Sequence, residues 1–314
     1  MLSFASMDEA QSVLLHDLLS KGVRINPRGL GTAELFPASF ELRFPRRRCI
    51  ANPARRWSLP LAIGELCWHL AGSTDVEPLA YYAPRWRQFT DVPGVVRGGC
   101  YGHRVFGTNK AQESQWERVK QILRADLHSR RAVLTLGDPQ FVLDSSIRDV
   151  SCACTLQFLV REGRLHAMAY MRSNDVIWGM PYDIFLFTML QELLAAEFGL
   201  PLGSYFHFAG SLHLYDHHVS LAHRIVAAPE AEPFEMPPIV VPAQSHELIE
   251  AETQIRKGSA ASPQILAAVD PYWGDLIRVL QVYAASKGIG DETVEPTFQF
   301  KPYTKLLHNV RNSE

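Results

Sequence analysis

Residues 183–198, DIFLFTMLQELLAAEF, are apolar nearly all the way round a helix, and they constrain the fold more than any other stretch. A helix without a polar face has no side to turn to water, so the rest of the chain must enclose it. Gly199 follows directly and marks its stop. Upstream, residues 153–160 (ACTLQFLV) and 165–171 (LHAMAYM) are strand-like runs joined through Glu162-Gly163, the pattern of a hairpin. A central apolar helix beside strands predicts an α/β chain.

The remaining segments fill in that picture. Residues 7–20 (MDEAQSVLLHDLLS) place Val13, Leu14, Leu18 and Leu19 at helical spacing, with Gly22 as a stop signal. Residues 30–44 mix Gly, Pro and alternating apolar positions and predict turns and strands. Residues 59–71 (LPLAIGELCWHLA) predict a helix with Pro60 in its first turn. Residues 84–102 hold Pro, Gly and aromatics and predict a long functional loop. Residues 111–129 predict a polar-faced helix, and 131–136 (RAVLTL) a strand. Residues 228–242 are rich in Pro and acid, the composition of a linker or an edge strand. Residues 262–287 are helical in pattern, broken by Pro271.

With 314 residues, 47% apolar and 20% charged, the chain can bury a large core as one domain or two. A net charge of −2 gives no sign of a nucleic-acid-coating surface, and no nucleic-acid partner is expected. The local basic clusters Arg46-Arg47-Arg48 and Arg55-Arg56 are expected in solvated loops. Five Cys (49, 67, 100, 152 and 154) without a repeated spacing argue for a reducing, cytoplasmic setting rather than a disulfide framework. Asp8 and Glu9 with no basic stretch before them predict no signal peptide, and no apolar run is long enough to span a membrane.

Between Arg148 and Tyr215 lie Cys152, Arg172-Ser173-x-Asp175, Gly179-x-Pro181-x-Asp183 and His213-x-Tyr215. A cysteine acts as a nucleophile when electropositive neighbours draw it toward the thiolate, and Arg172 is a candidate. Cys152 and Cys154 share a face on a strand, yet no second Cys pair completes a metal set. His213, His217 and His218 mimic ligand spacing, but no carboxylate or Cys completes that set either. Glu65 lies on an apolar helix face beside Leu66 and Leu70, where a carboxylate is costly without a partner. Trp68 reads as core. Arg130-Arg131 after a helix would, alone, read as surface.

Together these pieces resemble the thymidylate synthase family, including its pyrimidine hydroxymethylase branch. The resemblance runs with gaps from about residue 24 to 240. It is carried by Pro27-Arg28-Gly29-x-Gly31-Thr32, Glu65-Leu66-x-Trp68-x-Leu70, Tyr101-Gly102, Ser129-Arg130-Arg131, Cys152 before Gln157-Phe158, Tyr170-x-Arg172-Ser173-x-Asp175-Val176, Gly179-x-Pro181-Tyr182-Asp183-Ile184 and Gly210-x-x-His213-x-Tyr215-x-x-His218. The resemblance implies a mixed sheet with surrounding helices and an obligate homodimer with shared active sites. Residues 1–240 would form the catalytic core, and 241–314 a divergent, partly helical segment packed on the same domain. It further implies that Cys152 attacks C6 of a pyrimidine, so that C5 takes a one-carbon unit from 5,10-methylenetetrahydrofolate. Arg28, Arg172 and Ser173 would hold the phosphate, with Arg130 and Arg131 reaching the phosphate of the neighbouring subunit. His213 and Tyr215 would hold the sugar. Glu65, Tyr101 and Asp175 would join Cys152 in the catalytic set, Asp183 and Gln157 would read the base, and Trp86, Asp175, Trp178, Gly179 and Tyr182 would line the folate.

Three departures from the family pattern are informative. Synthases for uracil nucleotides place Asn where this chain has Asp183, and a carboxyl group there suits the amino edge of cytosine. A second role, capping a helix that begins near Ile184, is compatible with this. Ala153 stands where synthases carry His, Ser151 where they carry Pro, and Trp178 replaces a smaller apolar residue beside the folate site. The resemblance fades after about residue 240, and the final LLHNVRNSE is expected to close over the site differently, admitting water. These features predict 5-hydroxymethylation of CMP or dCMP; neither Ser173 nor His213 and Tyr215 decides the sugar. A methylating synthase acting on dCMP or dUMP is a second reading. A nucleotide- or RNA-binding homologue without chemistry is a third, against which Cys152, Glu65 and Asp175 speak.

Overall fold

A computed structural model describes residues 1–107, 113–289 and 297–311. These divide into two compact units. The first comprises Met1–Trp57, Trp116–Gly137 and Cys152–Met236; the second comprises Ser58–Gln115, Asp138–Ser151 and Pro237–Glu314. In chain order the strands are β1 (Leu2–Phe4), β2 (Val23–Ile25), β3 (Thr32–Leu35), β4 (Ala38–Leu42), β5 (Val133–Thr135), β6 (Ala153–Arg161), β7 (Arg164–Met171), β8 (Asn174–Asp175), β9 (Leu202–Ala209) and β10 (Leu212–Tyr215). The α-helices are α1 (Met7–Lys21), α2 (Leu59–Leu70), α3 (Glu77–Tyr82), α4 (Tyr101–Phe106), α5 (Gln115–Ala125), α6 (Pro139–Leu143), α7 (Gly179–Glu197), α8 (Val219–Ala227), α9 (Ser245–Arg256), α10 (Pro263–Ala268), α11 (Pro271–Ser286) and α12 (Tyr303–Arg311).

All the described strands belong to the first unit, a mixed α/β structure with two mixed sheets. One sheet runs β1-β4-β9-β7-β6-β5, the other β2-β3-β10-β8. The expected hairpin is present as β6 and β7, turning at Glu162-Gly163, both at positive φ. Its strands alternate buried and open positions, the period of a half-covered sheet. On β7 the buried residues Ala167 and Ala169 are small, and the register sets them beside Tyr205 and His207 of β9. The large rings thus fill space that the alanines leave.

The apolar helix is α7, buried along almost its whole length. It starts at Gly179, four residues before the expected point, because Pro181 sits in the first turn, where it lacks no hydrogen bond that a helix would make. Gly199, at φ 63°, ends it as expected. Its buried polar side chains find partners: Thr188 Oγ1 donates to Ile184 O (2.6 Å). Gln191 Nε2 donates to the carbonyls of Leu165 and Gly203 (2.9 and 3.1 Å), and Glu192 pairs with Arg48. Arg48 is fully buried and Arg55 only 4% exposed, while Arg46 and Arg47 both hold Glu235 (2.8 and 2.9 Å). The expectation of solvated basic loops is therefore corrected for Arg48 and Arg55, while Arg56 is exposed as expected. The balancing carboxylates lie far along the chain, where a local reading of charge does not see them.

The second unit is helical among the described residues. α2 begins at Leu59 with Pro60 in its first turn, as its sequence predicts, and Ser58 caps it by accepting from Leu61 N (3.3 Å). The segment 84–102 is less of a loop than expected: it holds a 3-10 turn at Pro84–Gln88 and the start of α4. α8 and α9 were not anticipated. In α9 the buried residues Leu248, Ala251, Glu252 and Ile255 form a narrow stripe in a polar sequence, too thin to mark the helix by composition. Pro271 breaks the next helical stretch into α10 and α11 as expected. Residues 228–236 and 237–240 pair with no sheet strand, which favours the linker reading of that Pro-rich segment. The first residues of the predicted helix at 111–129 and the last three of the chain lie outside the described residues. Among the described residues no helix is long and apolar enough to cross a membrane.

Candidate active site

The site in the first unit forms where the chain passes twice from one sheet to the other. After Met171 the chain leaves β7 and joins the second sheet at Asn174; after Ala209 it leaves β9 and rejoins at Leu212. The two crossovers run side by side. Gly210 N donates to Met171 O (2.9 Å) and Asn174 N to Ser211 O (2.8 Å). A Cβ on Gly210 would meet Arg172 O at 3.1 Å, so the close approach suits glycine. The antiparallel register Ala153↔Met171 sets Cys152 across from Arg172, and Arg172 N donates to Cys152 O (2.9 Å).

This places the Arg172 guanidinium over the thiol, with Nη2 3.9 Å from Cys152 Sγ. Arg172 and Arg28 pull the thiol toward ionisation, while the Asp183 and Asp175 carboxyls oppose them. Burial outweighs all four and pushes the Cys152 thiol up to about 11. The expected activation by Arg172 is thus real in direction but insufficient alone. In the free chain Cys152 is a thiol at neutral pH.

Asp183 lies in the second turn of α7, so it does not cap that helix; Trp178 occupies the N-cap position. Burial pushes its carboxyl up from the ordinary 3.8 to about 7, with Asp175 adding to the rise and a hydrogen bond from Asn174 opposing it. In that bond Asn174 Nδ2 donates to Asp183 Oδ2 (2.8 Å). A Cβ on Gly179 would meet Asn174 Nδ2 at 3.1 Å and Asp183 Oδ2 at 3.4 Å. Gly179 therefore leaves room for the Asn–Asp pair, a role more local than the predicted folate contact. Asp175 Oδ1 accepts from the amides of Ile177 and Trp178 (2.7 and 3.2 Å), pinning the turn into α7.

The other predicted residues of this unit fall into two groups. Arg28, His213 and Tyr215 belong with Cys152. Arg28 lies close enough to act electrostatically on both Cys152 and Tyr215, and His213 on β10 is in register with Asp175 and packs edge-on against Tyr215 (4.9 Å). Arg28 is exposed at φ 54°, a left-handed conformation that a non-glycine residue adopts at some cost. Ser173 is half-buried between Arg172 and Asn174. Trp178 is half-buried, its Nε1 donating to His218 Nε2 (2.7 Å) and its ring covered by the Arg55 guanidinium (5.5 Å). Tyr182 is buried and stacks on Trp57 (5.8 Å). Gln157 sits farther along β6, and its Nε2 donates to Arg130 O (2.9 Å). Arg130 and Arg131 are both exposed.

Glu65, Tyr101 and Trp86 belong to the second unit. Glu65 is half-buried on α2. Tyr101 opens α4 and stacks on the buried His69 (5.4 Å). Trp86 packs against Trp68, Val76, Leu79, Val96 and Cys100, and Trp68 is core as expected, its Nε1 donating to Asp75 O (2.7 Å). Among the described residues no group of three His, Cys, Asp or Glu is arranged to hold a metal ion.

Asn174, His207 and Tyr205 were missed by reasoning from sequence. Asn174 occupies the unassigned position of Arg172-Ser173-x-Asp175. His207 and Tyr205 lie on the buried face of β9, in an alternating pattern where a polar residue must find a partner. That mismatch was the available signal.

Residues 11–256 match the family described as Thymidylate synthase. A curated relative, the deoxyuridylate hydroxymethyltransferase of Bacillus phage SP01, is 30% identical over 212 residues. That match covers 64% of this chain and 55% of the relative, so the chain spans about half the length of the protein it matches.

Proposed function

The chain belongs to the thymidylate synthase family, and from that premise we propose that it is a homodimeric one-carbon transferase that hydroxymethylates C5 of CMP or dCMP. The observation that carries the cytosine assignment is Asp183, a carboxyl that keeps its proton to about pH 7 where the resemblance sets the base-reading group. Cytosine offers an acceptor at N3 and a donor at its 4-amino group. A protonated carboxyl meets both, giving its hydrogen to N3 and accepting from the amine. The proton on N3 then stabilises the charge that spreads into the ring when C6 is attacked.

Cys152 supplies the sulfur that adds to C6, which turns C5 into a carbon nucleophile. Its thiol must lose its proton first. The nucleotide phosphate, held by Arg28, Arg172 and Ser173, would bring those guanidinium groups into fixed places beside the sulfur. Arg130 and Arg131 of a second copy would add to the same field, as the family resemblance implies. His213 and Tyr215 would hold the sugar. The residues present fit a folate. Asp175 spends one carboxyl oxygen on the α7 turn and keeps the other to accept from a ring N–H, beside the half-buried indole of Trp178. Bound there, 5,10-methylenetetrahydrofolate supplies a one-carbon unit at the oxidation level of formaldehyde, and water in place of hydride gives the hydroxymethyl product and tetrahydrofolate.

A uridine nucleotide is the second reading, favoured by the substrate in the phage relative's name. One experiment separates the possibilities: mass spectrometry of the product from CMP, dCMP, UMP and dUMP with the folate donor, while dihydrofolate absorbance is followed. A gain of CH2O on a cytidine nucleotide without dihydrofolate is expected. Dihydrofolate formation with dUMP as sole substrate would end both the cytosine and the hydroxymethyl assignments.

A further inference from the structure

A carboxylic acid is an ambiguous reader of pyrimidines. With its proton on one oxygen it matches cytosine; with the proton moved to the other it matches uracil, whose N3 donates and whose O4 accepts. Selectivity therefore needs something that decides between the two oxygens. We propose that Asn174, His207 and Tyr205 form a buried relay that fixes the proton of Asp183 on Oδ1, and that this relay sets the choice of base.

The relay is continuous. Asn174 Nδ2 donates to Asp183 Oδ2 (2.8 Å), His207 Nε2 is 3.1 Å from Asn174 Oδ1, and Tyr205 Oη is 2.9 Å from His207 Nδ1. Asn174 is 1% exposed, and His207 and Tyr205 are 0% exposed. Burial takes the His207 imidazole down to about 3, so the ring is neutral and has a single N–H to give. When Asp183 is ionised it can only accept, so the amide of Asn174 must turn its nitrogen toward it. Asn174 Oδ1 then faces His207 and must receive the ring hydrogen from Nε2. His207 Nδ1 is left as an acceptor, and the Tyr205 hydroxyl donates to it. This single direction serves the ionised carboxyl and also the acid protonated on Oδ1. The reverse direction serves only an acid protonated on Oδ2.

The surroundings hold each member in place. Ala167 and Ala169 make room for Tyr205 and His207, Phe40 stacks on the His207 ring (5.0 Å), and Gly179 leaves the space in which Asn174 meets Asp183. With Oδ2 held as an acceptor toward the exocyclic group and Oδ1–H toward N3, cytosine fits; uracil sets two donors and two acceptors against each other. That cytosine is the base selected rests on the proposed function; the lock itself does not.

The test is calorimetric binding of CMP, UMP and their 2′-deoxy forms, with ribose 5-phosphate as a probe that lacks the base. Wild type is expected to favour the cytidine nucleotides. In Asn174→Ala the cytidine-to-uridine affinity ratio falls roughly tenfold or more, the scale of one mispaired buried group. Ribose 5-phosphate binding stays unchanged. Tyr205→Phe keeps the ring and removes only the terminal hydroxyl, so it lowers the ratio in the same direction by a smaller factor and decides the matter if Asn174→Ala does not fold. A ratio within about twofold of wild type in the folded variants overturns the relay. A wild type that favours uridine nucleotides ends the cytosine reading alone; the relay then stands only if the same variants erase that preference.

Discussion

Two side chains with raised proton affinity sit together, and each has a different consequence. Cys152, held as a thiol by burial, gains its reactivity from what binds beside it rather than from the free chain. Cys152→Ala is therefore expected to abolish turnover while leaving nucleotide affinity close to wild type, because phosphate and sugar contacts do not pass through the sulfur. Residual turnover at the wild-type rate would remove the covalent step. Asp183 links chemistry to stability. Its folded-state value of about 7 lies above the ordinary 3.8, so between those limits the folded chain binds more protons than the unfolded one. Its contribution to stability is complete at acid pH and is lost as the pH rises toward 7. Asp183→Asn removes that dependence. Thermal melts should show the two proteins nearly equal near pH 4, and the variant ahead at pH 8 by up to about 4 kcal/mol. An offset that is the same at both pH values would contradict the burial account. In a competition assay the same variant is expected to shift preference toward the uridine nucleotide.

At the scale of elements, α7 organises the first unit, and its interior polar residues show what its sequence could and could not reveal. That the helix exists and is enclosed was legible, since DIFLFTMLQELLAAEF leaves no polar face. The partner of Glu192 was not legible. Arg48 lies in a basic run that, taken locally, looks solvated, and only the fold brings the pair into the core. Breaking that pair strands a buried charge. Glu192→Ala is expected to cost about 3–5 kcal/mol, and Arg48→Met combined with Glu192→Leu to recover most of it. Denaturant melts of the three chains check this; a single variant as stable as wild type would show the ion pair to be dispensable. Gly179 opens the same helix, and its missing Cβ leaves the space for the Asn174–Asp183 pair. Gly179→Ala should lower kcat/KM for the cytidine nucleotide roughly tenfold by displacing that pair, with stability changed by less than about 1 kcal/mol. The motif spacing singled out Gly179 but not this function, because the residue it accommodates stands at a position that the motif leaves open.

At the scale of the whole molecule, the family was legible because the order of its motifs along the chain is specific. The weave of the two units was not, since the change from one to the other at Trp57-Ser58 or Gly137-Asp138 leaves no mark in composition. The same holds for association between copies. Arg130 and Arg131 are exposed, and alone they would be ordinary surface. The family resemblance gives them a purpose only if they serve the phosphate bound by a second copy, and then each active site draws on two chains. Complementation distinguishes the alternatives. Cys152→Ala and an Arg130→Ala/Arg131→Ala double variant should each be inactive, for different reasons. If subunits exchange, a mixed dimer holds one site that lacks both contributions and one that lacks neither. Random mixing of equal amounts makes half the dimers mixed, so activity should return to roughly one quarter of wild type. Arginines that act within their own chain would give no recovery, because every site would then carry one defect or the other. A mixture that stays inactive, while size-exclusion chromatography shows dimers that have exchanged, would therefore assign the two arginines to their own subunit and end the shared-site arrangement.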